Sequence, residues 1–283
     1  MSHPQIAAFA RLAKENSRPN RLVSGQKTLL SRTMHDIRYD AVHDEFFVTN
    51  PFAQAILTFR GSASGEEPPI RIIQGSNTQL SDGVDRLDVD TLHNEIFVPA
   101  LNSILVFPRD AQGNVAPIRI IRGPETHLRS AMVLAVDPAN NLIVSNARAN
   151  PDGAVSGDEI AERAEALLIF NRTDQGNVAP RAVIAGPKTG LVSVSQLQVY
   201  SPKGWIIGAI AGVYRNTQEP EGTFVGGWSI HDNGDASPRW KISGTKSTLK
   251  RPRGVVLIPQ YKELVVADMR LNSVLTFYFP EIF

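Results

Sequence analysis

Residues 85–123 read DRLDVDTLHNEIFVPALNSILVFPRDAQGNVAPIRIIRG. Four short runs rich in β-branched and aromatic residues fall at 85–90, 95–99, 103–107 and 117–122, separated by turn-forming residues. That pattern predicts a four-stranded antiparallel meander. The rest of the chain repeats it with variations.

A glycine closes each copy, at Gly25, Gly75, Gly123, Gly186 and Gly244, and a proline stands six residues before each, at Pro19, Pro69, Pro117, Pro180 and Pro238. A proline suits the start of an outermost strand, where its missing N–H harms no ladder. Gly65, Gly113, Gly176 and Gly234 mark the preceding hairpin turns, with Glu15 at that place in the first copy. Past each closing glycine come a hydroxyl residue (Thr28, Thr78, Thr126, Thr189, Ser247) and then a leucine (Leu30, Leu80, Leu128, Leu191, Leu249). The hydroxyls are expected to bond the connecting backbone and the leucines to pack between neighbouring sheets. A meander repeated in this register is the sequence mark of an all-β propeller of four-stranded antiparallel blades.

The closing glycines lie 50, 48, 63 and 58 residues apart, so two copies carry insertions, at 147–166 and 211–225. Both fall between a second and a third strand and therefore on one face; they form either a rim over a channel mouth or a shield for blade edges. EIAERAEA (159–166) has the pattern of two helical turns.

First strands start near Asp36, Arg86, Val133, Gln196 and Gly254, which gives five blades. Third strands, marked by an aromatic, number six: Phe9, Phe59, Phe107, Phe170, Trp228 and Phe277. All six aromatics are expected in the core. The chain ends supply the surplus, and the simplest closure pairs strand 20–24, as outer strand, with the C-terminal trio 253–258, 263–267 and 273–279. Segment 4–13, within an N-terminal extension of 1–14, is then left for an amphipathic helix on the rim or for exchange with a second molecule. A six-bladed arrangement with split, incomplete blades is the remaining alternative, and it leaves unpaired strand edges. All 283 residues are read as a single domain.

Composition narrows the function. Hydrophobic residues make up 42% and charged residues 20%, enough apolar material for a core, and 29 basic against 28 acidic residues give a net charge of +1. Without a concentrated basic patch, nucleic acid and anionic membrane are disfavoured partners. The absence of cysteine excludes disulfides, thiolate zinc sites and thiol nucleophiles. The first residues, MSHPQIAAFARLAKEN, lack the apolar core of a signal peptide; the protein is cytoplasmic if Met1 is the native start and exported if a leader was removed. No stretch approaches the ~20 apolar residues of a membrane span.

The last copy, LKRPRGVVLIPQYKELVVADMRLNSVLTF (249–277), resembles the NHL repeat. Pro252, Gly254, Ala267, Asp268, Asn272 and Phe277 stand where that pattern has its characteristic residues, and weaker copies such as VLAVDPANNLIVSNA (133–147) extend the likeness over nearly the whole chain. The resemblance implies a propeller. It implies no one function, since NHL-like propellers serve as protein-binding, RNA-binding, sensor and enzyme domains. Only Gly254 keeps the motif glycine, and the family usually has six blades rather than five.

In a propeller the first strands line the channel, so candidate site residues come from them. They read HDIRYD (35–40), DRLDVD (85–90), MVLAVD (132–137), SQLQVY (195–200) and RGVVLI (253–258). Asp36 stands at the position matching Arg86, and Arg38 at the position matching Asp88, which suggests two ion pairs between blades. The alternative is a ligand-binding mouth formed by His35, Asp36, Arg38, Asp85, Arg86, Asp88, Gln196, Gln198 and Arg253. His43 and His93 recur in HDE and HNE turns, which points to turn chemistry rather than ligation. No cofactor is expected; calcium is conceivable where Asp82, Asp85, Asp88 and Asp90 cluster. Arg21, Arg71, Arg119 and Lys241 recur two residues after the prolines as a basic series that solubilises edge strands.

The leading expectation is a non-catalytic binding or scaffold module for a protein or small-molecule ligand, as a monomer or as a dimer by exchange of 4–13. The competing expectation is a hydrolase or lyase of the gluconolactonase-like kind, with His35, Asp36, Asp85 or Asp88 as base or metal ligand.

Overall fold

The computed structural model describes residues 4–32, 34–81, 84–149, 162–213 and 222–283. Four four-stranded antiparallel sheets follow one another along the chain. The first is β3 (Ile37–Asp40), β4 (Glu45–Asn50), β5 (Ala55–Arg60) and β6 (Arg71–Gln74); the second is β7 (Asp88–Asp90), β8 (Glu95–Pro99), β9 (Ser103–Pro108) and β10 (Arg119–Arg122). The third is β11 (Leu134–Asp137), β12 (Leu142–Arg148), β13 (Glu165–Asn171) and β14 (Ala182–Ile184); the fourth is β15 (Val194–Tyr200), β16 (Trp205–Ile210), β17 (Phe224–Ser229) and β18 (Trp240–Ile242). A fifth sheet holds three strands, β19 (Pro252–Ile258), β20 (Glu263–Asp268) and β21 (Ser273–Tyr278). Each is a plain meander, as the periodicity of 85–123 predicts. Most of the two insertions lies outside the described residues, as does part of the helix expected at 159–166; the third strand there already begins at Glu165.

The chain start differs from expectation. β1 (Gln5–Ala8) and β2 (Arg21–Ser24) pair with each other in a separate two-stranded sheet, Gln5 opposite Ser24 and Ala8 opposite Arg21. Strand 20–24 therefore pairs with β1 and not with the C-terminal sheet, and segment 4–13 holds the strand β1 rather than a rim helix. The physical reason is proximity in sequence: a hairpin closes at lower entropic cost than a pairing across some 250 residues. Phe9 is consequently 53% exposed, and Phe277 half-buried, whereas Phe59, Phe107, Phe170 and Trp228 are fully buried as expected.

The described chain forms two compact units, Met1–Val98 with Val106–Ile118, and Pro99–Leu105 with Arg119–Phe283. In the first, β1 and β2 cover Phe46, Val48, Leu57 and Phe59, with Phe46 and Phe59 stacked at 5.0 Å. In the second, one core runs from Val133 through Trp228, and an aromatic-rich core joins the fourth sheet to the fifth, where Trp240 meets Phe279 edge-on at 5.2 Å.

The same joint recurs inside each unit. An outer strand bridges the turn glycine of the following sheet, Val23 to Gly65 and Ile73 to Gly113 in the first unit, Ile121 to Gly176 and Ile184 to Gly234 in the second. The hydroxyl series does what its register implies. Thr126 Oγ1 donates to the Gly123 carbonyl at 2.6 Å and accepts from the Leu128 N–H at 3.3 Å, and the other four copies repeat both bonds. Thr126→Val keeps the volume and removes both, so a loss of about 1–2 kcal/mol is expected in a urea titration; an unchanged midpoint would dismiss the clip as ornamental. The closing glycines also have a reason to be glycine. At Gly75, φ is +130° and a Cβ would lie 2.5 Å from the Asn114 side chain, whose Oδ1 accepts the Asn77 N–H at 2.7 Å.

Candidate functional site

The first-strand residues of the opening two sheets converge in the first unit. β3 carries Asp36 just before it and Arg38 within it; the approach to β7 carries Asp85 and Arg86, and β7 begins with Asp88. Because alternate residues share a face, Asp36 and Arg38 both turn toward the neighbouring first strand. Arg38 Nε lies 3.3 Å from Asp88 Oδ1 and 3.7 Å from Asp36 Oδ2, and Arg86 Nη1 lies 3.9 Å from Asp36 Oδ1. These are the two ion pairs that matched positions anticipate, joined through Asp36 into one network.

Backbone groups complete the network. Arg38 Nε donates to the Leu87 carbonyl at 3.0 Å, the Leu87 N–H donates to Asp36 Oδ2 at 3.2 Å, and Arg86 Nη1 donates to the His35 carbonyl. Burial opposes both guanidinium charges. For Arg38 the two carboxylates, Asp36 and Asp88, outweigh burial and the pKa rises above its ordinary value. For Arg86 burial prevails over Asp36, with the like charge of Arg38 adding to it, and the pKa falls below its ordinary value. An arginine so placed keeps its charge, so Asp36 is its necessary counter-ion.

His35 differs from these groups. Its Nδ1 hydrogen-bonds Asp85 Oδ1, and its side chain is 44% exposed. Asp85 is anchored in turn, its carbonyl accepting from Thr49 Oγ1 at 3.0 Å. A histidine held by a carboxylate with its far edge in solvent has the form of a general base, and it is more exposed than the turn histidines His43 and His93, which meet Asp40 and Asp90 in the same way.

The other candidates belong to the second unit. Gln196 Oε1 accepts the Val255 N–H at 2.6 Å, joining the fourth sheet to the fifth beside a register shift at Pro252/Gly254. A Cβ on Gly254 would come 3.3 Å from that oxygen, so a side chain there would press on the bond. Gln198 and Arg253 are half-buried on β15 and β19.

The repeated histidines behave as turn residues. Asp40 Oδ1 accepts the N–H groups of Val42 and His43 while its Oδ2 meets His43 Nδ1 at 2.7 Å; Asp90 treats Leu92 and His93 alike, and Asp137 uses Asn140 in the histidine's place. Of the carboxylates considered for calcium, Asp82 lies outside the described residues, and Asp85, Asp88 and Asp90 are engaged by His35, Arg38 and the turn respectively. Among the described residues no three metal-type ligands converge.

Two clusters escaped sequence reading. Glu45 Oε2 receives both Arg71 Nη2 and Arg109 Nη1, the latter at 2.6 Å. Arg71 is therefore turned onto a carboxylate and Arg119 Nη2 donates to the Arg172 carbonyl, whereas Lys241 stays exposed with its Nζ 5.3 Å over the Phe224 ring, so the basic series is a solvated edge only in part. The hint was the recurring Arg109 and Arg172 just past the third strands. In the second unit, burial raises the Glu165 carboxyl from 4.5 to about 7, against the hydrogen bonds from Asn146 Nδ2 at 2.7 Å and the Val194 N–H and the charge of Arg148. With the folded pKa above the unfolded one, the native state holds more protons between those values; the contribution is full below pH 4.5 and lost as pH rises through 7. Allowing for partial solvent contact it amounts to about 1–3 kcal/mol. Glu165→Gln is expected to flatten that part of the stability profile, read from urea midpoints at pH 5 and 8.

Five antiparallel meanders of blade type, the first four of them each met by the same bridge from a preceding outer strand, define a protein of the β-propeller class. Among the described residues no helix is long and apolar enough to cross a membrane. No family model matches the chain, and no curated protein is significantly similar to it in sequence.

Proposed function

We propose that this NHL-like propeller is a non-catalytic binding or scaffold module for a protein or small ligand. The observation that carries the reading is the locked state of the first-strand charges: Asp36, Arg38, Arg86 and Asp88 neutralise one another below the surface. Groups committed to one another in this way have little capacity left for proton transfer, and paired buried charge more often holds a fold than runs a reaction. The reading needs no resident metal. A ligand would meet the exposed edge, where His35 and Asp85 stand beside this rigid floor.

The experiment is a native mass spectrum before and after chelation, followed by Arg86→Ala. The expected result is an unchanged mass on chelation and a variant that is measurably less stable. If Arg86→Ala retains full stability and loses only ligand binding, the locked-pair reading is wrong.

A hydrolase or lyase reading is favoured by one observation, the open His35–Asp85 pair. His35 would take a proton from water or from a carbon acid, with Asp85 fixing the ring. His35→Ala should leave the fold intact at a cost of about 1–2 kcal/mol, because the side chain is 44% exposed and its removal takes one hydrogen bond from Asp85. Loss of a lactone- or ester-hydrolysing activity in that variant, with the fold intact, would establish the enzyme reading.

A further inference from the structure

The turn between β1 and β2 departs from its own repeat at residues that it shows to solvent. Residues 5–25 align with 103–123, and Leu12 then stands where later copies have Ser62, Asp110, Thr173 and His231. Lys14 stands where they have Ser64, Gln112, Gln175 and Asn233, and Arg18 where they have Pro68, Ala116, Ala179 and Ser237. A polar position has become apolar, and two uncharged positions have become cationic.

The fold turns this change outward. β1 and β2 are last paired at Ala8 and Arg21, and from Phe9 to Asn20 every residue is exposed except the half-buried Ala13. Phe9 is 53% and Leu12 70% exposed, whereas the corresponding turn of the second sheet buries Phe107 and Ala111. The tip holds its shape by bonds of its own. The Ala13 N–H donates to the Ala10 carbonyl at 2.9 Å, the Lys14 N–H to Ser17 Oγ at 3.0 Å, and Ser17 Oγ to the Lys14 carbonyl at 2.6 Å. Side chains carried outward on a turn so tied are presented at low entropic cost.

Charge gathers at the same place. Residues 4–32 hold six basic residues and one acidic residue, a net +5, whereas the rest of the chain holds 23 basic and 27 acidic residues, a net −4. The whole-chain value of +1, which disfavours anionic surfaces on composition, averages this asymmetry away. Arg11, Lys14, Arg18 and Arg21 lie in the turn or at its foot, with Glu15 the sole acid among them.

We propose that this tip docks on an anionic lipid surface, Phe9 and Leu12 entering the interfacial layer while Lys14 and Arg18 meet the lipid phosphates and carboxylates. Shape and charge select the occupant. A projecting tip offers no groove to a peptide, whereas a headgroup layer needs no matching contour. Apolar side chains flanked by cations gain both from its acyl boundary and from its negative potential. The aliphatic stems of lysine and arginine lie along that boundary with their charges in the headgroups. The tip shares no residue with the first-strand charge network, so this inference stands apart from the binding-module reading.

The test is cosedimentation of the full chain with vesicles of equal parts phosphatidylcholine and phosphatidylserine, and with vesicles of phosphatidylcholine alone. Wild type is expected to sediment with the first and to stay in solution with the second, and its binding should weaken as salt screens the surface charges. Leu12→Ser should lower the partition constant about tenfold through lost apolar contact. Lys14→Gln combined with Arg18→Gln should lower it about twentyfold, from roughly fivefold per charge. All three positions are exposed, and circular dichroism checks that each variant keeps the fold. Wild type that ignores the anionic vesicles overturns the proposal. So does binding that Leu12→Ser leaves unchanged, which would reduce the contact to charge alone. Retention on polyglutamate without retention on vesicles overturns it too, and would make an acidic protein segment the occupant.

Discussion

Replacing Asp36 by alanine is expected to cost about 3–5 kcal/mol of folding free energy at pH 7, measured as a shift of the urea midpoint. Asp36 is buried between Arg38 and Arg86 and accepts the Leu87 N–H. Its removal takes the carboxylate from the Arg86 guanidinium, which cannot lose its charge and is already driven below its ordinary pKa by burial, and leaves Arg38 to Asp88. Asp36→Asn keeps the hydrogen-bonding shape and loses the charge, so its cost should be intermediate. The double variant Asp36→Leu with Arg86→Met should be more stable than Asp36→Ala, because an apolar pair avoids the uncompensated charge. If Asp36→Ala stays within ~0.5 kcal/mol of wild type, as a surface substitution does, the network contributes nothing to the fold and the scaffold reading loses its main support.

The second large effect belongs to Trp228. It is fully buried on β17, 6.0 Å from the Phe224 ring, in the core that joins the third and fourth sheets. Trp228→Ala should cost about 3–5 kcal/mol through the cavity it leaves. Trp228→Phe separates size from chemistry. The indole Nε1 is buried without a hydrogen-bond partner, so phenylalanine loses some contact area and also removes an unsatisfied donor. Its expected cost is below about 1.5 kcal/mol. Fluorescence-monitored denaturation would leave the sign to Trp205 and Trp240, so circular dichroism is the better probe. A Phe variant as unstable as the Ala variant would show that the indole N–H has a partner after all.

These two sites also mark how far local pattern reaches. The alternation in 85–123 and the spacing of Gly, Pro, Thr and Leu disclose the meander, the blade count and the Thr126-type clip, because each depends on neighbours within a few residues or on repetition of an identical unit. The Asp36–Arg86 and Arg38–Asp88 pairs were legible for the same reason: equal position in successive copies means adjacency. Where the chain departs from its own repeat, legibility fails. Phe9 carries the third-strand signal and still lies in solvent, because its copy has no first and second strands to bury it against. Arg71 carries the signal of a solvated edge and turns onto Glu45, a partner with no counterpart in the motif.

The sequence by itself determined the class of fold, the number of blade repeats and the residues of the first-strand charge network, since periodicity and register act through short-range geometry. Only the tertiary structure decided that β2 pairs with β1, that the fifth sheet has three strands, that His35 alone among the mouth residues of the first unit opens to solvent, and that the Glu165 carboxyl rises to about 7. Those outcomes depend on which distant surfaces come together and how much water they expel. Desolvation and edge pairing are properties of the assembled neighbourhood, which no single stretch of residues encodes.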